Sequence, residues 1–291
     1  MTYKINVVNA VRGGETYLIT SGDDAVLIDT GYAAQTDGTI DNINKHLGSR
    51  NLSAILLTHS HYDHVMGYGA ISEFFADAKT YAHPRVSQIF AKPTARKFME
   101  EMNKAAAAEQ GVSPEIGWAE KLRVDVEVQD NQAIDIGDMR IRVIYTPGHT
   151  ACSISLYFEN DDLLVASETL GVAPDFPRVV PGFIVSYEDA IRSIRKIGEL
   201  HPGNVLLPHG YVISGDDIDL YIKNAQYETD RVHEIAVQGI KDNKTCDQIV
   251  DIMKGIYYKG NFRKYQPDEA FYANWIPMIN KIMEKETARP F

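Results

Sequence analysis

Thr58-His59-Ser60-His61-Tyr62-Asp63-His64 places three histidines and one carboxylate within six residues. The apolar run Ala54-Ile55-Leu56-Leu57-Thr58 leads straight into it and reads as a buried strand. His59 and His61, two apart at a strand end, project to one side. Asp63 and His64 follow where the chain leaves the strand, and Gly67 and Gly69 allow a tight turn beside them. Neutral imidazole and carboxylate are the natural ligands of a borderline metal such as zinc, and they also suit iron or manganese. No single ion needs all four groups from so short a stretch, whereas two ions side by side do.

Upstream of this stretch, residues 4–8, 16–20 and 25–29 are strand-like, with turns at Asn9–Gly14 and Ser21–Asp24, and antiparallel pairing of neighbours is expected. Ile40, Ile43 and Leu47 recur at helical spacing, and Gly48 stands where that helix ends. Downstream, 87–120 is rich in Ala, Glu, Lys and Met and is read as a helical insertion, bounded at about 84–121. Strands are expected at 123–128, 133–136, 140–145, 153–158, 163–167 and 205–207. A helix over 188–200 opens on a Ser186/Asp189 capping box. From Asp216 onward the chain reads as helical: one helix begins at 216, and Thr245-x-x-Gln248 caps a second. A third spans 268–284, and Pro277 is expected to kink or split it. This organisation predicts an α/β catalytic domain over 1–215 and a C-terminal helical region over 216–291.

The 291 residues carry Lys+Arg 29 against Asp+Glu 40, a net charge of −11, and are 44% hydrophobic and 24% charged. The length is enough to bury a sizeable core. An acidic balance disfavours a nucleic-acid partner. Cys152 and Cys246 are far apart and fit a reducing compartment. The opening residues lack a basic-then-apolar leader and no run approaches a membrane span, so a cytoplasmic protein without membrane contact is expected.

The central stretch is the H-x-H-x-D-H hallmark of the metallo-β-lactamase superfamily, which this sequence resembles in four further segments in order. Val26-Leu27-Ile28-Asp29-Thr30-Gly31 matches the early strand and turn. Pro147-Gly148-His149-Thr150 matches the P-G-H-T segment, and Leu163–Leu170 matches an apolar strand followed by Gly-Asp-Thr. Pro208-His209-Gly210 matches the last ligand segment. The resemblance covers roughly residues 5–212 and implies a four-layer αββα sandwich, here with a C-terminal helical appendage. It further implies that His59, His61 and His149 hold one ion, and Asp63, His64 and His209 the other. Two divalent ions are expected, zinc first, with iron or manganese as alternatives. Glu168 stands where the family has a bridging aspartate; its longer side chain either bridges both ions or binds one. Asp29 would accept from a ligand imidazole and fix its tautomer.

That resemblance implies hydrolysis by a hydroxide held between the ions, with Asp63 orienting the nucleophile and accepting its proton. An ester-like bond of a small organic substrate (thioester, ester or lactone) is expected ahead of a phosphodiester. The layout is similar to hydroxyacylglutathione hydrolases and a quinolone-signal thioesterase, with a sandwich body followed by helices. Alternatives are a dinuclear phosphodiesterase, or a di-iron redox or regulatory protein acting through protein contacts; no flavin domain is read in the sequence. A homodimer is considered through Tyr257, Tyr258, Phe271 and Trp275, which look exposed on the C-terminal helices. The loop 173–182, with Phe176, Phe183 and Tyr187, is read as a substrate wall. Tyr62 and Tyr211 either line the pocket or pack. Cys152 reads as a small buried hydrophobe, Asn261-Phe262-Arg263-Lys264 as a solvated turn, and His46, His83, His201 and His233 as surface or packing histidines.

Overall fold

The computed structural model describes residues 2–11, 13–113, 115–266 and 268–288, with every side chain among them except those of His209, Lys264 and Tyr265. Arg12, in the turn expected at 9–14, lies outside them. Internal contacts divide the chain into two compact units, 1–145 with 154–163, and 146–153 with 164–291.

In the first unit, β1 (Lys4–Val7), β2 (Tyr17–Ser21) and β3 (Asp24–Ile28) form an antiparallel meander, with Lys4 opposite Thr20 and Ile19 opposite Val26. The chain crosses through α1 (Thr36–Leu47) to β4 (Asn51–Leu56), which runs parallel to β3. α1 buries Thr36, Thr39, Ile40, Ile43 and Leu47, one stripe at spacing three and four, and its cap is Gly48. After α2 (Tyr62–Val65) and α3 (Tyr68–Phe74), β5 (Lys79–Ala82) lies parallel to β4. α4 (Pro84–Phe90) and α5 (Pro93–Glu109) take up the first part of the stretch expected as a helical insertion, which ends in a 3-10 helix, Trp118–Lys121. α4 and α5 each open on a proline, which lacks only an amide that the first turn does not need.

β6 (Val126–Glu127) completes the first sheet, in the order β1-β2-β3-β4-β5-β6. It is shorter than the strand expected at 123–128. The Asp125 carboxylate accepts the Thr80 amide at 2.9 Å, so a side chain replaces a rung at this edge. β7 (Ala133–Ile136), β8 (Met139–Tyr145) and β9 (Ile154–Phe158) are antiparallel and belong to a second sheet, in the order β9-β8-β7. Leu18, Ile19, Leu27, Ile28, Ile55 and Leu56 are among the largest fully buried side chains. Continuous apolar runs of this kind suit strands covered on both faces.

In the second unit, β10 (Leu163–Val165), β11 (Asn204–Leu206) and β12 (Val212–Ser214) pair in the order β12-β11-β10. β10 stops short of the expected 167 because Ser167 takes φ 50° and turns the chain into a 3-10 helix, Ser167–Leu170. β12 was not anticipated: only Ile213 of its three residues is buried. α6 (Tyr187–Leu200) is capped by Ser186, whose hydroxyl accepts the Asp189 amide. α7 (Asp216–Lys241), α8 (Cys246–Tyr257), α9 (Phe262–Tyr265) and α10 (Asp268–Thr287) form the expected C-terminal helices. Both bonds of the Thr245/Gln248 capping box are present.

Of the kink or split expected at Pro277, the split does not occur: α10 runs from 268 to 287. Trp275, Met278, Ile279 and Ile282 around the proline are all buried, and that packing outweighs the roughly 3 kcal/mol a mid-helix proline costs. Tyr257, Phe271 and Trp275, expected on the surface, are also buried, at 2%, 0% and 2% exposure. Phe271 and Trp275 stack at 5.0 Å, Tyr257 and Trp275 at 5.1 Å, and the half-buried Tyr258 packs against this core. Truncating Trp275 to alanine would cost about 3–5 kcal/mol. No helix among the described residues is long and apolar enough to cross a membrane.

Candidate metal centre

In the first unit the histidine stretch leaves β4 and turns into α2. His61 is extended at φ −69° and ψ 145°, and Tyr62 to Val65 close one helical turn. This brings three imidazoles together: the His59 ring lies 4.7 Å from His61 and 4.2 Å from His64. Ligand nitrogens of His59 and His61 approach within 4.8 Å, as do those of His59 and His64. An Asp63 carboxylate oxygen is 3.7 Å from His64 Nε2. Gly14, at φ 57°, packs against the Asp63 carbonyl so closely that a Cβ there would stand 1.9 Å from the oxygen. The segment is thus wedged from the main-chain side as well.

Asp29 is the hub of the cluster. It is 3% exposed, and its carboxylate accepts the Thr58 amide at 2.7 Å, the Thr58 hydroxyl at 2.7 Å and His64 Nδ1 at 2.8 Å. Because the Thr58 hydroxyl spends its only proton on Asp29, its oxygen accepts from His59 Nδ1 at 3.0 Å. Both imidazoles therefore carry their proton on Nδ1 and present an Nε2 lone pair. That is the state in which histidine ligates a metal. The contact of Asp29 with an imidazole is the one expected of it. Thr58 has no role in the sequence reading, and its position immediately before the first histidine is the available signal. Burial, and after it the charge of Asp63, pushes the Tyr32 and Tyr62 phenols above their usual value; the two rings are 5.7 Å apart.

In the second unit, Gly148 and His149 form a tight loop against the start of α6. The Gly148 carbonyl accepts the Val185 and Ser186 amides at 3.0 and 3.3 Å, and Ser193 Oγ donates to the Pro147 carbonyl at 2.7 Å. Gly148 has φ 142°, and a Cβ there would lie 2.6 Å from Ala190 Cα, so glycine is required. Thr150 and Ser153 hydroxyls pair at 2.7 Å and brace the loop. His149 Nδ1 donates to the Gly182 carbonyl at 2.5 Å, which again leaves Nε2 as the acceptor. Gly182 was not anticipated; nothing local to His149 points to a carbonyl 33 residues away. Glu168, half-buried on the 3-10 helix, accepts from Ser167 Oγ at 2.8 Å. His149 and Glu168 line one small cavity, with Gly182 and Phe183 among its walls. The side chain of His209, expected as a ligand, lies outside the described residues; its backbone is in the 3-10 helix Pro208–Gly210.

In each unit the donors fit a metal of the zinc, iron or manganese kind: His59 and His64 in the first, beside Asp63, and His149 in the second, beside Glu168, have Nδ1 occupied by oxygen acceptors. A family model described as the metallo-β-lactamase superfamily matches residues 10–209. The chain belongs to the metallo-β-lactamase superfamily.

Its members are mostly metal-dependent hydrolases, and the histidine cluster such chemistry needs is present. Beta-lactamase-like protein 2 homolog of Drosophila melanogaster is 28% identical over 275 residues, covering 91% of this chain and 80% of that protein. Glyoxylase B2 of Dictyostelium discoideum is 28% identical over 202 residues, covering 67% of this chain and 60% of its own. The metallo-β-lactamase family protein TTHA1429 of Thermus thermophilus superposes with a TM-score of 0.68 at 20% identity, covering 99% of this chain and 94% of that one. The fold is that of the superfamily, an α/β sandwich of two sheets and helices followed by C-terminal helices.

His83 caps α4 by accepting the Arg85 amide and stacks on Tyr145 at 4.6 Å; burial and then Arg85 hold its imidazole below the usual value. His233 stacks on Tyr187 at 3.9 Å, and Tyr187 donates to Asp230 at 2.7 Å. Phe176 stacks on buried Tyr221. Of the aromatics expected to form a substrate wall, Phe183 is the one at the His149–Glu168 cavity. Cys152 is fully buried.

Proposed function

We propose that this chain is a hydrolase of ester-like bonds (thioester, ester or lactone) in a small organic substrate. In this reading His59, His61 and His149 hold one divalent ion, Asp63, His64 and His209 a second, and Glu168 is the shared or neighbouring carboxylate. Zinc is the first metal to test. The observation that carries the reading is the protonation pattern: His59, His64 and His149 each have Nδ1–H committed to an oxygen acceptor, so each offers Nε2. Two ions supply Lewis acidity and lower the pKa of water toward neutrality.

The chain's own contribution is orientation and proton handling. Asp29 and Thr58 fix two ligand rings before any ligand arrives, which removes the cost of ordering them on binding. Asp63, half-buried, orients the attacking water and accepts its proton. The acidic balance of −11 supports a carbonyl substrate over a polyanionic one. Similarity to a protein named Glyoxylase B2 and the layout of body followed by helices favour a thioester among the candidates. Two separate cysteines fit action in the reducing cytoplasm.

The test is a panel of thioester, lactone, ester and phosphodiester substrates with zinc-reconstituted full-length protein, before and after chelation. Turnover of at least one carbonyl substrate, lost on chelation and restored by metal, is expected. Cleavage of phosphodiesters alone, or a bound iron pair with redox turnover and no hydrolysis, would overturn the reading.

A further inference from the structure

We propose that the turn closing α8 is a latch that sets the His149 imidazole, making Arg178, Asp175 and Asn261 positioning residues for a metal ligand. This rests on the metal reading above. His149 is oriented by the carbonyl of Gly182, and a main-chain acceptor is only as well placed as the loop that carries it. That loop leaves Glu168 and returns at Ser186. Its two sides pair once, through mutual Val172–Val180 bonds at 3.0 and 2.9 Å, and its end is tied to Gly148 by Val185 and Ser186.

The part between is held from the C-terminal helices. Asp175 accepts Asn261 Nδ2 at 2.5 Å and the Asn261 amide at 3.3 Å. The Arg178 guanidinium donates to the Lys259 carbonyl at 3.1 Å and to the Tyr257 carbonyl, and lies 3.6 Å from Asp175. Tyr257 is the last residue of α8, where terminal carbonyls lack helical partners and attract a cation. Gly260, at φ 63°, lets Asp175 approach; a Cβ there would stand 2.8 Å from its oxygen. A separate observation leads to the same place. Val180 and Phe183, on either side of Gly182, belong to the buried cluster of Tyr257, Phe262, Phe271 and Trp275. The polar latch and the apolar core thus fix both sides of the carbonyl that His149 addresses, so the C-terminal helices act on the metal centre through His149.

The test uses full-length Arg178→Ala, Asn261→Ala and the conservative Arg178→Lys, with circular dichroism and thermal melting confirming that each is folded. Long-range proton–nitrogen spectra of the metal-free protein, recorded above the ordinary imidazole range, report the His149 tautomer, assigned with His149→Gln. The wild type is expected in the single Nδ1–H form, both alanine variants in mixed forms, and Arg178→Lys largely restored. Zinc affinity by chelator competition should fall about tenfold in the alanine variants and recover in Arg178→Lys. A single tautomer with unchanged affinity in both alanine variants would overturn the latch and leave the proposed function standing. A wild type that binds none of zinc, iron or manganese would overturn the function, while the tautomer spectra still decide the latch. If Arg178→Ala fails to fold, Asn261→Ala and Asp175→Asn decide it by the same two measurements.

Discussion

The two histidine-bearing segments solve the same problem in different ways. In the first unit the acceptors for His59 and His64 are side chains, a buried carboxylate and the hydroxyl between it and the first ring. In the second unit the acceptor for His149 is a main-chain carbonyl on a loop pinned from residues about eighty positions away. A side-chain hub concentrates the orienting work in one residue. A main-chain acceptor spreads it over whatever shapes the loop. The first segment should therefore have a single point of failure, and the second several weaker ones.

The largest effect is expected from Asp29→Ala, which strands three donors in a buried site. Urea unfolding of the metal-free protein should register a loss of about 4 kcal/mol, hydrogen bonds to charge being worth about 1.5–3 kcal/mol each and non-additive. Zinc affinity should fall about 100-fold. A cost below about 1 kcal/mol, near the range of an ordinary surface change, would remove Asp29 as the hub. Next is Gly148→Ala, where φ 142° and an approach of 2.6 Å to Ala190 Cα combine strain with overpacking. A loss of about 3 kcal/mol is expected in the same unfolding assay. A full-stability variant would mean that the loop against α6 is less tightly held than its bonds imply.

A sharper contrast comes from a matched pair. Thr58→Val keeps the shape but removes the hydroxyl between His59 and Asp29, and should weaken zinc binding about tenfold. Gly182→Ala retains its carbonyl, and the added Cβ would stand 3.4 Å from His149 Nδ1, within reach of a small adjustment. It should weaken zinc binding by no more than about threefold, less than loss of an outer-shell hydrogen-bonding side chain. Isothermal titration separates the two, and the reverse order would erase the distinction between side-chain and main-chain orientation.

This difference also explains what the sequence made legible. The motif around His59, the strand leading to it, and Asp29 within Val26–Gly31 are compact signals, and the structure brings these residues together as a cluster. Helix ends with local chemistry were equally legible, as at Gly48 and in the Thr245/Gln248 box. Gly182 and the Arg178–Asp175–Asn261 group were not, because their partners lie 33 to 86 positions away and no local pattern encodes the approach. The buried Tyr257, Phe271 and Trp275 were misread for a different reason. Aromatic residues on amphipathic helices look the same whether the apolar face meets solvent, a second copy or the chain's own neighbouring helices. Here α8 buries Ile249, Val250, Met253 and Tyr257 and α10 buries Phe271, Trp275, Met278, Ile279 and Ile282, a mutual match at spacing three and four. Ser167 is similar: only its left-handed backbone shows that the strand expected to run to 167 ends before it.

The most direct measurement is metal content by elemental analysis of full-length protein reconstituted with zinc and freed of excess, beside a His59→Ala, His64→Ala double variant. The account predicts about two ions per wild-type chain, as a paired-metal hydrolase requires, and at most one in the variant. A wild type with far less than one transition-metal ion per chain, or a variant that retains the full complement, would contradict it.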